Sequence, residues 1–427
     1  MGLTRDTDPF DIPLTAYGFY RDQFANPDQA DLIYPLDDYV KVTTSGSMGK
    51  PKAYLIPKSS IRYTISKVGL SFFLLTTHDG KDIRFEIGDI VYRNSPGGSH
   101  LSAFLDDEYK NKGSAIAEQV PDINMSYEDK VQYFIDHYEE IDVAYMTVNA
   151  LMDEVYPRIG KTFHLKGFIT QDISARVLKE EIKQITGNYP KTNYGSTETN
   201  LVGLPSIEYP GCFFFDWRMA YYEFLPEGEA KGAEVDYVDP PPETVKMKDV
   251  KVGERYQLVV TPFRNDLTRY IMPDIMECVS LGDNVLDVQM PVFAFYGRAD
   301  RLIVLHNFTR IAEEEILLVL KNAAVPYVDF TARVELHGAK QFMVIYIELA
   351  EDIEPAEVVD MIHRALLDFD KDWRDLTDFM KYTPLKVHLL PRGTFAEYMR
   401  VKDGMPRVQR ISMRDDRLEL IKNLVKG

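Results

Sequence analysis

At 427 residues the chain exceeds one ordinary compact domain, and two domains of unequal size are expected. An apolar share of 45% supplies a large core. The net charge of −18 argues against nucleic acid as a partner, although lysines gathered in one loop can still make a local anion site. Cys212 and Cys278 are the only cysteines, too few for a disulfide framework. The apolar stretch at 68–75 is too short to span a bilayer, and residues 1–6 lack the apolar core of a signal peptide. No membrane partner and a cytoplasmic setting are therefore expected.

In chain order, the first candidate is the segment 43–52, Thr-Thr-Ser-Gly-Ser-Met-Gly-Lys-Pro-Lys, behind a strand-like lead-in. Glycines let backbone N–H groups converge on an anion, hydroxyls add donors and lysines neutralise charge, which suits polyphosphate. A flexible turn between two strands is the competing reading. Residues 59–75 and 127–137 carry helical spacing, 165–169 reads as a short strand, and 175–187 as an amphipathic helix ending at Gly187. After a short strand at 189–192 comes Asn193-Tyr194-Gly195-Ser196-Thr197-Glu198. A tyrosine face stacks on purines, a hydroxyl reaches phosphate, and a carboxylate oxygen suits Mg²⁺. A strand followed by a capped helix start accounts for the same six residues.

The runs 213–224 and 256–261 read as strands, with a solvated loop or edge hairpin at 226–250 between them. In 262–274, Asp274 beyond a strand could accept from ribose hydroxyls, while a surface ion pair of Arg269 with an acid is the alternative. The stretch Tyr296-Gly297-Arg298-Ala299-Asp300-Arg301 lies where the composition changes, as a hinge between domains would. Beyond residue 300, a hairpin at 328–336 and 342–349, a helix at 355–369 and a strand at 385–390 outline a small α+β domain. The expected fold is α/β: a large N-terminal domain of β-sheets packed with helices over 1–299, and a small mobile C-terminal α+β domain over 300–427.

With these residues in hand, the chain resembles the adenylate-forming superfamily of acyl-CoA synthetases, adenylation domains and luciferases. Residues 44–52 look like its TSGTTGxPK phosphate loop, and 194–198 match YGxTE. Residues 269–274 keep the first two residues and the last of RYRTGD, 297–300 match GRxD, and Leu390-Pro391-Arg392 opens an LPR-type motif. The length and the spacing of the first two motifs are closest to short phenylacetate-CoA ligase-like members. The stretches 219–226 and 250–261 are similar to plant acyl-acid amido synthetases.

The resemblance implies roles position by position. Thr44, Ser45, Gly46, Ser47, Gly49 and Lys52 would cradle the ATP phosphates. Tyr194 would stack on adenine, with Gly195 and Ser196 also among the nucleotide-binding residues; Thr197 would contact the α-phosphate, and Glu198 would ligate Mg²⁺. Asp274 and Arg298 would hold the ribose, and Asp300 would be the hinge. The expected activity is an AMP-forming ligase that turns a small carboxylic acid into an acyl-adenylate and passes the acyl group to coenzyme A. An amino acid acceptor is one alternative, and a nucleotide-binding protein without ligase activity another. A homodimer is the assembly entertained.

One departure stands out. The lysine that ends the C-terminal motif in this superfamily aligns with Glu397, whose charge would repel phosphates. Lys402 or Arg400 could substitute, adenylation could be weak, or the chemistry could differ. Thr197, Glu198 and Lys402 are the catalytic candidates. Cys212 reads as a core thiol and His306 as structural.

Overall fold

Alternating aromatic and β-branched residues in the middle of the chain build a ten-stranded sheet. Its main path runs Val245–Lys246, Ala220–Pro226, Arg255–Pro262, Tyr270–Ser280, Val292–Arg298, Phe213–Phe215, Asn200–Pro205 and Tyr194–Ser196, with Leu14–Thr15 and Tyr237–Val238 off that path. One face is cemented by Phe215, Phe224 and Phe293, the last two stacked at 4.9 Å. The structure is a computed structural model and describes residues 8–43, 52–95, 101–112, 116–148, 150–232, 235–299, 302–305, 309–337, 340–380, 382–401 and 408–424. It divides into two compact units, Met1–Ala299 and Asp300–Gly427.

The large unit also holds a five-stranded parallel sheet in the order Ala117–Val120, Asp89–Arg93, Val143–Tyr145, Gly167–Thr170, Pro190–Thr192. Parallel strands need both faces covered. Helices Tyr127–His137 and Lys179–Thr186 bury Val131, Phe134, Ile182 and Ile185 on one face. Phe73 and Tyr109 cover Val91, Val143 and Ile169 on the other. The first of these helices starts on Ser126, whose Oγ accepts from the Asp129 N–H, and the second stops at Gly187 with φ 81°.

Three expected elements are broken in the folded chain. The helix at 59–75 is Lys58–Tyr63 and Gly69–Thr76 joined through a π-helical turn, Thr64–Val68, where the Thr64 hydroxyl bonds back to the Ser60 carbonyl. The helix at 175–187 is interrupted at Leu178. The single strand at 213–224 is two, because Asp216 turns the chain: its carbonyl accepts from the Met219 N–H, and its carboxylate from the Arg218 N–H. Phe213–Phe215 thus pairs with Asn200–Pro205, and Ala220–Pro226 with Arg255–Pro262.

In the small unit, Tyr327–His337 and Lys340–Leu349 form an antiparallel hairpin, and Leu385–Leu390 adds in parallel. Helix Pro355–Phe369 lies at its expected limits. Ile303–Leu305 and Thr309–Ile311 make a separate two-stranded ribbon. Arg410 is buried against Asp329 at 2.6 Å, and Trp373 is wholly buried. Among the described residues, no helix is long and apolar enough to cross a membrane.

Candidate functional site

The phosphate-loop candidate is the connection of a β-hairpin. Tyr39–Thr43 and Ala53–Pro57 pair antiparallel, with Thr43 opposite Ala53. Thr44, Ser45, Gly46, Ser47 and Gly49 lie outside the described residues. Lys52, at the end of the loop, stands with Nζ 4.7 Å from the ring centre of Tyr17, whose hydroxyl accepts from the Ala53 N–H. The far end of the hairpin is anchored where the Tyr39 hydroxyl donates to Asp266 Oδ2 at 2.5 Å. Burial raises the pKa of the Asp266 carboxyl above the usual carboxylate value.

Residues 194–198 do not open a helix. Tyr194–Ser196 turns through Thr197 and Glu198 into Asn200–Pro205, and the two strands pair antiparallel. The turn closes because Ser196 Oγ accepts from the Thr199 N–H, and because Asn200 takes the left-handed conformation at φ 60°. Gly195 and Gly203 are dictated by close approach: a Cβ would meet Asn200 O at 2.9 Å and Tyr194 Cβ at 2.6 Å respectively.

This hairpin, the loop after Arg255–Pro262 and the strand Tyr270–Ser280 bring two polar groups together. In the first, Glu198 Oε1 accepts from the Tyr54 hydroxyl (2.7 Å), the Tyr54 and Tyr270 hydroxyls lie 3.2 Å apart, and Asn265 Nδ2 donates to the Glu198 carbonyl (2.9 Å). Burial, with the Glu198 charge behind it, keeps both phenols protonated far above the ordinary tyrosine range. In the second, the Tyr194 hydroxyl donates to Asp274 Oδ2 (2.6 Å), and Arg298 Nη1 stands 3.9 Å from Asp274 Oδ1. Asp274 and Arg298 are directly opposed on neighbouring strands.

Two expectations change here. Asp274 lies inside a strand rather than beyond one. The strand is irregular at that place: Val259 pairs with Ile271 and Gln257 with Ile275, so the segment around Pro273 bulges. Proline has no N–H for a ladder bond, which is why it sits where the ladder breaks. Arg269 makes no surface pair; it is 3% exposed, held by Glu223 at 2.7 and 3.0 Å, and donates to the carbonyls of Phe10 and Ile12. Its backbone is left-handed at φ 42°, a conformation held by the Thr261 hydroxyl and the Thr15 N–H on either side of it. Tyr194 is buried, with its ring stacked on Phe213 at 5.4 Å.

The structure thus gathers Tyr194, Glu198, Asp274 and Arg298, places Thr197 in the intervening turn and Ser196 at its start, and leaves Asp300 and Lys402 outside the described residues. Sequence reasoning gave no role to Tyr54, Tyr270 or Asn265. The signal for Tyr54 was its place two residues past Lys52 on an apolar strand, where a phenol is the odd residue. Glu397 lies on helix Thr394–Val401 and pairs with Arg400 at 3.3 Å, so one expected substitute for the absent lysine is already engaged. Cys212 is buried against Val292 and Ala294, as a core thiol.

As a test for Mg²⁺, no group of three or more His, Cys, Asp or Glu occurs among the described residues. Magnesium bound with nucleotide takes one or two carboxylates and fills the rest of its shell with phosphate and water. A half-buried Glu198 with one oxygen engaged fits that requirement.

The mixed α/β fold, a large sheet-rich unit and a C-terminal unit, is similar to that of adenylate-forming enzymes. The chain belongs to the adenylate-forming superfamily. Within it, residues 213–298 match the GH3 family central domain, and residues 309–409 match the GH3 family C-terminal domain. Indole-3-acetic acid-amido synthetase GH3.15 of Arabidopsis thaliana is 32% identical over 207 residues, 42% of this chain and 32% of that protein. The chain spans about a third of the length of the curated relatives it matches. Among solved structures, the AtGH3.15 acyl acid amido synthetase in complex with 2,4-DB superposes with a TM-score of 0.66 at 17% identity, covering 96% of this chain and 87% of that one. A 2-hydroxyisobutyryl-CoA ligase in complex with 2-HIB-AMP also gives 0.66, at 14% identity, covering 98% and 83%. These likenesses show the fold.

Proposed function

We propose that this protein is an ATP-dependent carboxylate ligase that forms an acyl-adenylate and passes the acyl group to the amine of an amino acid. A carboxylate is a poor acyl donor because its leaving group would be oxide. In the first step a carboxylate oxygen attacks the α-phosphorus of ATP, and pyrophosphate leaves. In the second the amine attacks the acyl carbon, AMP leaves, and the amine loses a proton. Both reactants of the first step are anions, so their charge must be offset where they meet.

The observation that carries this reading is the convergence of Glu198, Tyr194, Asp274 and Arg298 beside the hairpin of the phosphate-loop candidate. Thr44, Ser45, Gly46, Ser47, Gly49 and Lys52 would bind phosphate, Tyr194 the adenine, and Asp274 with Arg298 the ribose hydroxyls. Thr197 would donate to the α-phosphate. Glu198 would hold Mg²⁺, which when bound supplies charge neutralisation at the phosphate oxygens. Lys402 would stand in for the lysine displaced by Glu397. The division of roles between 1–299 and 300–427, with the turning point at Asp300, belongs to the same proposal, as do a cytoplasmic setting and a homodimer.

An amine acceptor is preferred to coenzyme A because both matched domains, 213–298 and 309–409, are of the GH3 kind. Coenzyme A is the second reading, favoured by the equal TM-score of the 2-hydroxyisobutyryl-CoA ligase. ATP–pyrophosphate exchange over a panel of aromatic and aliphatic acids tests the first step. No exchange with any acid, alongside measurable ATP binding, would leave a nucleotide-binding protein and overturn the ligase reading. Product mass with mixed amino acids or with coenzyme A then decides the acceptor.

A further inference from the structure

Tyr54 has no part in the scheme above, yet it is joined to its centre. It lies on strand Ala53–Pro57, 1% exposed, directly after the phosphate-loop candidate. Its hydroxyl donates to Glu198 Oε1 at 2.7 Å and stands 3.2 Å from the Tyr270 hydroxyl. The direction of this chain follows from counting protons. An ionised carboxylate only accepts, so the single Tyr54 proton goes to Glu198. The Tyr54–Tyr270 contact then needs its proton from Tyr270. The order is Tyr270 to Tyr54 to Glu198, and it ends on the one carboxylate that the nucleotide reading assigns to the metal.

Two further observations fit a role in aiming that side chain. Asn265 Nδ2 donates to the Glu198 carbonyl at 2.9 Å, so backbone and side chain are both held. The partners come from three separated places, since Tyr54 is 144 residues from Glu198 and 216 from Tyr270 in sequence. A glutamate on a turn otherwise samples several rotamers, and ordering it would weaken each binding event. Hydrogen bonds to a metal-binding carboxylate commonly set its orientation and tune its affinity.

We propose that Tyr54, itself oriented by Tyr270, is a positioning residue that fixes one oxygen of Glu198 and presents the other to the divalent cation carried by the nucleotide. The proposal rests on the nucleotide reading of the site. It explains why a buried tyrosine occupies a strand position that otherwise faces an apolar cluster containing Phe24 and Ile56.

The test compares binding of Mn²⁺·ATP with binding of ATP in a chelator, by calorimetry on the full chain, so that neither turnover nor knowledge of the acid is needed. The wild type is expected to gain affinity from the metal. Tyr54→Phe should cut that gain by about tenfold and leave metal-free ATP binding unchanged. Tyr270→Phe, which keeps the Tyr54–Glu198 bond, should cut it less, and Glu198→Gln should remove it. A merely structural tyrosine would alter both affinities together or neither, and either outcome overturns the proposal. Should Tyr54→Phe fail to fold, a Tyr270→Phe protein with an undiminished metal gain would overturn it as well. A wild-type protein that gains nothing from Mn²⁺ would overturn the nucleotide reading and this proposal together, whereas a gain unmoved by Tyr54→Phe overturns only the proposal.

Discussion

Two places along the strand Tyr270–Ser280 and its lead-in use the same residue types to opposite ends. Just before it, Arg269 forms a buried pair with Glu223, both 3% exposed at the side chain, and its guanidinium also donates to the carbonyls of Phe10 and Ile12 and to the Thr244 hydroxyl. Five residues on, Asp274 faces Arg298 at 3.9 Å, with the guanidinium 28% exposed and the carboxylate 11%. The first pair is closed, with charge matched to charge inside the protein, and serves the fold. The second is longer and more exposed to water. A motif that begins with arginine and ends with aspartate therefore divides into a buried clamp and a partly exposed pair, to which the proposed function gives the ribose.

Breaking the clamp should have the largest effect. Arg269→Ala leaves Glu223 buried without its partner and is expected to cost roughly 3–5 kcal/mol of unfolding free energy. Chemical denaturation measures it, and a loss below about 1 kcal/mol would mean that the N-terminal segment is held by other contacts. Arg269→Lys should recover little, because one ammonium cannot meet a carboxylate and two carbonyls in a planar fork.

The site pair should respond differently. Asp274→Asn removes charge while keeping shape, and is expected to raise the KM for ATP by roughly tenfold, the scale of a lost charged hydrogen bond, with unfolding little changed. If stability falls as far as in Arg269→Ala, the contrast between clamp and site collapses. Smallest of all, Tyr194→Phe removes one donor from Asp274 Oδ2 and keeps the ring on Phe213. It should shift ATP affinity by about fivefold, from a hydrogen bond of about 1 kcal/mol. A loss as large as that of Asp274→Asn would mean that Asp274 needs the phenol to hold its orientation.

Legibility in the sequence followed the range of the forces involved. Helices Tyr127–His137 and Pro355–Phe369 and strand Leu385–Leu390 lie where the residue pattern places them, since that signal is local. The helix read over 59–75 gained a π-helical turn, and nothing in its spacing marked where. For residues 194–198 the local pattern allowed a helix start; pairing with Asn200–Pro205 made a hairpin, through Asn200 at φ 60° and the contact of its Nδ2 with Ser60 Oγ, 140 residues away.

Residue order alone was enough to establish the run of motifs, the superfamily they resemble, and the chemistry that Glu198, Asp274 and Arg298 are suited to. It did so because side-chain type and close spacing are written directly in the chain. Whether an arginine becomes a clamp or a site, and which phenols meet Glu198, depended on strands brought together from distant parts of the sequence. Tyr54, Glu198 and Tyr270 are neighbours only because a hairpin, a turn and a bulged strand converge, and burial then makes each hydrogen bond among them count.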